Sequence, residues 1–371
     1  MHARVGLQAA GTMVRPLIIT AMTWLLAAAK PAIAQPARRS PAPASNQQGL
    51  QERVDVPRVL VDLRALDDSG QPILGLTKAD FAVTIDGKPA AIDNVDWVAP
   101  SVSPHDGTPP ASDEPHPPSR SSGSLPDGRW VVLLYQKHPD LSDVEGMMGL
   151  RRDFAAFAGI ISEEDHVAVL SFDTSLHLWL DFTNDGPRIR RVLEHEIFVG
   201  SPRPIQPGPF PSLAASISSN VAASTYTVER ALMRLGDALT TLPGAKSIVV
   251  LGYGMGTWLP GLGQVQMPAQ YGETLLSLQR AKVSVFSIDV TKADYHPREE
   301  GLRLIAANTG GFYMNTHIFT TAALNRVAGA LAGYYVLFVV PPDAQKGEPR
   351  IEVSLPHRKG HILSRTAYLA Q

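Results

Sequence analysis

Cysteine is missing from all 371 residues. Its absence excludes disulfides, thiolate metal centres, a thiol nucleophile and a lipid-bearing cysteine behind a leader peptide. Charge is sparse at 18% of residues, and no basic stripe with interleaved aromatics occurs. Nucleic-acid binding is therefore not expected, because neutralising phosphates takes clustered positive charge. The G-x-x-x-x-G-K-[ST], H-E-x-x-H and G-x-S-x-G patterns are absent too, so no familiar nucleotide-hydrolysing, zinc-peptidase or serine-hydrolase chemistry is written in the chain. Beyond the N-terminal region no apolar run reaches the roughly 20 residues that span a bilayer.

Residues 1–34 read as an export signal. Arg4 and Arg15 precede an apolar stretch over residues 17–29, and Ala32-Ile33-Ala34 supplies a small-x-small cleavage site before Gln35. An uncleaved anchor is the alternative. The expected location is the periplasm or the exterior, with no membrane attachment after cleavage. This segment holds three basic residues and no acidic one, so the remainder carries a net charge of −5 against −2 for the whole chain. Without disulfides, such a protein must rely on core burial, for which this length suffices.

Composition divides the rest. Residues 35–50, rich in Pro, Ala, Ser and Gln, form a tether. Residues 51–99 read as three or four antiparallel strands, with Asp86-Gly87 as a hairpin signal. Residues 100–128 are a Pro/Ser-rich linker whose His105 and His116 lack the neighbours a metal needs. Residues 129–332 alternate buried strands with amphipathic helices, beginning with Trp130-Val131-Val132-Leu133-Leu134. That alternation predicts an α/β class: a Rossmann-like, mostly parallel sheet with helices on both faces. The run 176–182, behind the tight turn Asp173-Thr174-Ser175, is expected to be an antiparallel edge strand. Residues 333–371 return to β character. The two β segments are expected to meet as one small sandwich, or else to be separate additions.

Several phrases together resemble the von Willebrand factor A (VWFA)-related domain family described mainly from acidobacteria. The most specific is Gly75-Leu76-Thr77-Lys78-Ala79-Asp80-Phe81 followed by Asp86-Gly87-Lys88-Pro89. Glu164-Asp165-His166-Val167-Ala168-Val169, Thr309-Gly310-Gly311-Phe312-Tyr313 and Gly333-Tyr334-Tyr335 add to it, so the resemblance covers residues 54–369. It implies a von Willebrand A-like domain, which typically holds Mg²⁺ with an Asp-x-Ser-x-Ser turn after the first strand, a threonine, and an aspartate after the fourth strand. Here Tyr135-Gln136-Lys137-His138-Pro139 stands at the first position and Gly252-Tyr253-Gly254 at the last, with Thr225 or Thr227 as the surviving threonine. Mg²⁺ wants about six oxygens. The resemblance thus implies a degenerate adhesion site with no metal, and no cofactor is expected either.

Two classes of function follow. The first is a non-enzymatic adhesion or binding module for an exported protein or a cell-surface component. Its candidate partner-binding face is Tyr135, Lys137, His138, Thr225, Tyr253, Met255 and Trp258. These residues lie on the loops that the resemblance puts at the carboxyl ends of the strands, where open α/β sheets bind ligands. Lys137, at a metal-ligand position, could stand in for the cation and receive an acidic group. The aromatic residues could instead plug the vacated site. The second class is an enzyme of unrecognised type using the same crevice, and it calls for convergent titratable groups that the sequence does not display. His138 has no evident base or acid partner. Asp289, at the end of the fifth strand with Thr291 behind it, reads as a carboxylate capping a loop. His195 reads as solvated. The long insertion 198–224 is either a recognition loop or disordered.

Overall fold

The computed structural model describes residues 58–99, 129–137, 151, 154, 156–203, 205, 211–291, 295–315, 320–342 and 349–365. The proposed leader, tether and linker, together with His138, lie outside the described residues. Three strands precede residue 100: β1 (Val59–Leu66), β2 (Ala82–Ile85) and β3 (Lys88–Val98). The α/β unit supplies β4 (Trp130–Gln136), β5 (His166–Phe172) and β6 (Leu176–Thr183). Helix α1 (Gly186–Arg191) comes next, then the short α2 (Leu213–Ser216) and α3 (Ser219–Ala223), and α4 (Val228–Leu239). Strand β7 (Lys246–Gly252) leads to a small hairpin, β8 (Thr257–Leu259) and β9 (Gln264–Gln266). The unit closes with α5 (Tyr271–Arg280), β10 (Val283–Asp289), α6 (Glu299–Asn308), β11 (Tyr313–Asn315) and α7 (Thr320–Leu331). Strands β12 (Tyr334–Val340), β13 (Ile351–Ser354) and β14 (His361–Ser364) end the described chain.

The α/β sheet runs β11-β10-β7-β4-β5-β6. All its pairings are parallel except β5 with β6, which is antiparallel at the edge as expected. Every residue of β5, β7 and β10 is buried. Side-chain alternation divides these strands between two cores. Val131, Leu133, Val169, Val249 and Phe286 face one, and Val132, Leu134, Leu170, Ile248 and Val285 face the other. That is why the strands read as continuous apolar runs rather than alternating ones. Counted within the unit, the strand order is 3-2-1-4-5-6, which reverses between β4 and β7. In doubly wound sheets this reversal opens a crevice at the carboxyl ends of the two strands.

The two β segments do come together, but not as a sandwich. They form one six-stranded sheet of order β13-β2-β3-β12-β1-β14, antiparallel throughout. Strand β12, from the C-terminal segment, pairs with β1 on one side and β3 on the other. A single core lies on one face of this sheet, so no second sheet is needed to bury it. Within it the phenol of Tyr335 donates to Ile73 O at 2.9 Å and accepts from Leu76 N at 3.1 Å, against the rings of Phe81 and Trp97. Thus Gly75-Leu76 and Gly333-Tyr334-Tyr335, two pieces of the family-like phrasing, meet in space as core. Thr309-Gly310-Gly311 is structural as well. A Cβ at Gly311 would fall 1.8 Å from Val285 O, so only glycine lets β10 approach there.

Candidate functional site

The crevice at the carboxyl ends of β4 and β7 is bridged by a side-chain amide. Gln136 Oε1 accepts from Tyr253 N at 3.0 Å, and Gln136 Nε2 donates to Gly254 O at 3.1 Å. Arg298 fastens the same loop from the other side. Its Nη2 donates to Gly254 O at 3.2 Å and its carbonyl accepts from Met255 N at 3.2 Å. Gly254 has φ +129, and a Cβ there would meet Arg298 Cβ at 2.5 Å, so the loop needs glycine at this point.

Beside this bridge lies a cleft of about 460 Å³, whose lining includes Lys137, Asp173, Tyr226, Glu229, Gly256 and Arg298. The two carboxylates are already occupied. Glu229 Oε1 accepts from Gly256 N at 2.7 Å, and Asp173 Oδ1 accepts from Ser175 N at 3.1 Å and from Thr174 N. The two cations are held differently. The Lys137 ammonium sits 4.8 Å from the centre of the Trp179 ring, and burial lowers its pKa below the ordinary lysine value. Arg298 is exposed and bonded to a backbone carbonyl.

The residues expected on the partner face are not gathered in one place. Lys137 lines the cleft. Tyr135 is 6% exposed and packs edge-on against Phe154, in the same core as the Trp179 ring that lies under Lys137. Its phenol is held well above the usual tyrosine pKa by burial first and by Tyr253 second. Met255 has no exposed surface. Both are corrections to the expected face: Tyr135 follows the pleat of β4 into one core, and Met255, three residues beyond β7, is turned into the other by its loop, which Arg298 O holds at Met255 N. Thr225 is buried too, its hydroxyl donating to Ala222 O at 2.8 Å, whereas Thr227 caps α4 and lines the cleft. Tyr253 is half-buried against the core, and Trp258 is half-buried on the β8–β9 hairpin. His138 lies outside the described residues. Arg298, Glu229 and Tyr226 were missed, since nothing in their local spacing distinguishes them from surface residues. The described part of the long insertion is folded: the buried carboxylate of Asp181 accepts from Leu213 N at 2.8 Å, Ala214 N at 3.2 Å and the Ser212 hydroxyl.

A convergent titratable cluster also exists, at the end of β10. Asp289 Oδ1 accepts from Thr291 N at 2.9 Å, the loop-capping role expected of it. Its Oδ2 additionally takes His296 Nε2 and the Tyr313 hydroxyl, both at 2.8 Å. Tyr313 lies 3.3 Å from Glu299 Oε2, and burial, then the Asp289 bond, keep its phenol protonated far beyond the usual range.

No protein-family model matches the sequence, and no curated protein does. Solved structures resemble the fold. The conserved hypothetical protein BatB from Bacteroides thetaiotaomicron is 14% identical, with 54% of this chain and 98% of that one covered, at a TM-score of 0.34. A von Willebrand factor type A protein from Catenulispora acidiphila is 11% identical over 65% and 67%, at 0.39. The vWF domain of the type V pili tip protein Mfa5 from Porphyromonas gingivalis is 11% identical over 54% and 94%, at 0.34. What the chain's own strand order shows is a doubly wound α/β unit with one antiparallel edge strand.

Proposed function

We propose that the chain is an exported, non-enzymatic binding module of the von Willebrand A type, related to the acidobacterial family, whose adhesion site works without a metal. Its ligand face is the cleft beside the β4–β7 reversal, and its ligand is an acidic group on an exported protein or a surface polymer. The observation that carries this reading is the charge arrangement there. Lys137 and Arg298 share one cleft, where one oxygen of each neighbouring carboxylate, Glu229 Oε1 and Asp173 Oδ1, is bonded to backbone N–H groups. Helix α4 also starts at this end of the sheet, and helix N-termini favour negative charge. Among the described residues no helix is long and apolar enough to cross a membrane.

The test is retention of the full chain on immobilised poly-glutamate and on envelope material, with poly-lysine as control. Lys137→Glu and Arg298→Glu are expected to weaken retention at least tenfold each, with melting unchanged in Lys137→Glu and slightly lowered in Arg298→Glu, which also loses its bond to Gly254 O. Undiminished retention by both variants would remove the cleft from consideration. N-terminal sequencing of protein from the native host, expected to start at Gln35, checks the export half separately. Catalysis is the second reading, favoured only by the Asp289 cluster. Asp289, His296 and Glu299 do not line the cleft, so the two readings refer to different places.

A further inference from the structure

The cluster at the end of β10 is built from three different elements. Asp289 is the last residue of the strand, His296 belongs to the turn before α6, and Glu299 opens that helix. The turn is closed by Glu299 N donating to His296 O at 3.1 Å, which sets the imidazole beside the first helical carboxylate. One side-chain atom from each of the three lies within 4.8 Å of the other two. Asp289 and Glu299 are 0% and 5% exposed, so two carboxylates are withdrawn from water within reach of each other. The Tyr313 phenol lies between them, and Arg303 donates to Glu299 Oε1 at 2.9 Å while stacking 4.1 Å from the Tyr313 ring centre.

We propose that Asp289, His296 and Glu299 bind one divalent transition-metal ion, with zinc the best match. Two carboxylates and one neutral imidazole carry a charge of −2, and with Arg303 paired to Glu299 the cluster keeps a net negative charge for a cation to balance. Imidazole mixed with carboxylate suits zinc, whereas magnesium prefers an all-oxygen set with several waters. Three protein ligands leave room for a fourth from solvent. Tyr313 and Arg303 orient the carboxylates from behind, as groups around metal ligands commonly do.

A second observation points the same way. Ser287 is fully buried, two residues before Asp289 on the same strand, so its side chain leaves on the same face. Thr291 follows, its backbone already bonded to Asp289. The hydroxyl oxygens of both Ser287 and Thr291 are buried and have no hydrogen-bond partner. Buried hydroxyls are normally satisfied. Lying two residues before and two after Asp289, these two hydroxyls are left for a polar ligand at the end of β10. The site is separate from the β4–β7 crevice where A domains typically place their ion, and from the acid-binding cleft proposed above.

The experiment uses the full chain, stripped with EDTA, re-equilibrated with zinc chloride and desalted, with metal then measured by mass spectrometry. Wild type is expected to retain one zinc per chain and to melt several degrees higher with zinc. Millimolar Mg²⁺ is expected to change nothing. His296→Ala, at a partly exposed turn, should fold normally and lose the zinc. Asp289→Asn preserves the shape of the carboxylate and should weaken retention more than tenfold. Lys137→Glu should keep the zinc, so that failure here is distinguishable from failure of the cleft. Absence of stoichiometric zinc from wild type would overturn the proposal. So would equal retention by His296→Ala, which would assign the metal to other histidines.

Discussion

The two ends of the central sheet hold positive charge to different degrees. At the amino ends of the strands, cations are buried or partly buried and donate to backbone carbonyls, Arg129 pairing with the Asp165 carboxylate as well. Arg64 donates to Ala330 O at 2.7 Å, Arg129 to Leu331 O at 2.8 Å, Lys246 to Leu242 O at 2.5 Å and Arg365 to Gln279 O at 3.3 Å. Ala330 and Leu331 close α7, Gln279 is near the end of α5, and Leu242 follows α4. At the carboxyl ends, Lys137 and Arg298 stay on the rim of a cleft. The difference follows from βα connectivity. Helices run back against the strands, so their C-termini, with orphan carbonyls and negative dipole ends, gather at the amino side. Cations there complete the fold and join the β sheet to the α/β unit, as Arg64 does in also reaching Ser284 Oγ at 2.9 Å. Cations at the other end lie near the start of α4 and are held more lightly, Lys137 over the Trp179 ring and the exposed Arg298 by one bond to Gly254 O, which fits the ligand-binding role proposed for them.

The largest effect expected from breaking this picture lies under the carboxyl-end loops. Tyr135→Ala and Met255→Ala remove buried side chains and should each cost about 3–5 and 2–5 kcal/mol in urea unfolding. Trp258→Ala, on the half-buried hairpin, should cost about 1 kcal/mol or less. If Tyr135→Ala proved as mild as Trp258→Ala, the loops would be an open face rather than a closed plug.

A smaller effect sharpens the amino-end half. Burial first, then the neighbouring charges of Lys282 and Arg365, bring the Lys246 pKa down to about 8. The unfolded lysine keeps its proton to about pH 10.4. Between those values the unfolded chain binds more protons, so stability gains from Lys246 as pH rises through 8. Lys246→Met, which lacks this titration, should melt higher than wild type at pH 7 by a few degrees. The gap should narrow by pH 9.5. A constant gap across that range would mean that Lys246 is not desolvated while charged.

Much of the scaffold could be read from single residues. The run Val131-Val132-Leu133-Leu134 announced a strand buried on both faces, and the Asp173-Thr174-Ser175 turn announced the antiparallel edge. The phrases that carried the family resemblance told of packing rather than chemistry, as Tyr335 against Leu76 and Gly311 against Val285 make plain. The candidate face was legible only at Lys137. Sequence position placed Tyr135 and Met255 on strand-end loops, but their exposure depends on the pleat that turns Tyr135 inward and on the loop that folds Met255 into the core. Asp289 was seen as a loop cap and not as the centre of a cluster, because its partners come from a turn, a helix and another strand.

What the sequence determined by itself is the local part. Apolar runs, turn residues and alternation set strand and helix types, because these depend on neighbours a few positions away. Tertiary structure decided the rest. It chose the pairing of β12 between β1 and β3, the meeting of Lys137 with Arg298 and the convergence of Asp289, His296 and Glu299. Each joins residues whose proximity depends on how the sheets pair and the helices pack over them, information that no local pattern of side chains contains.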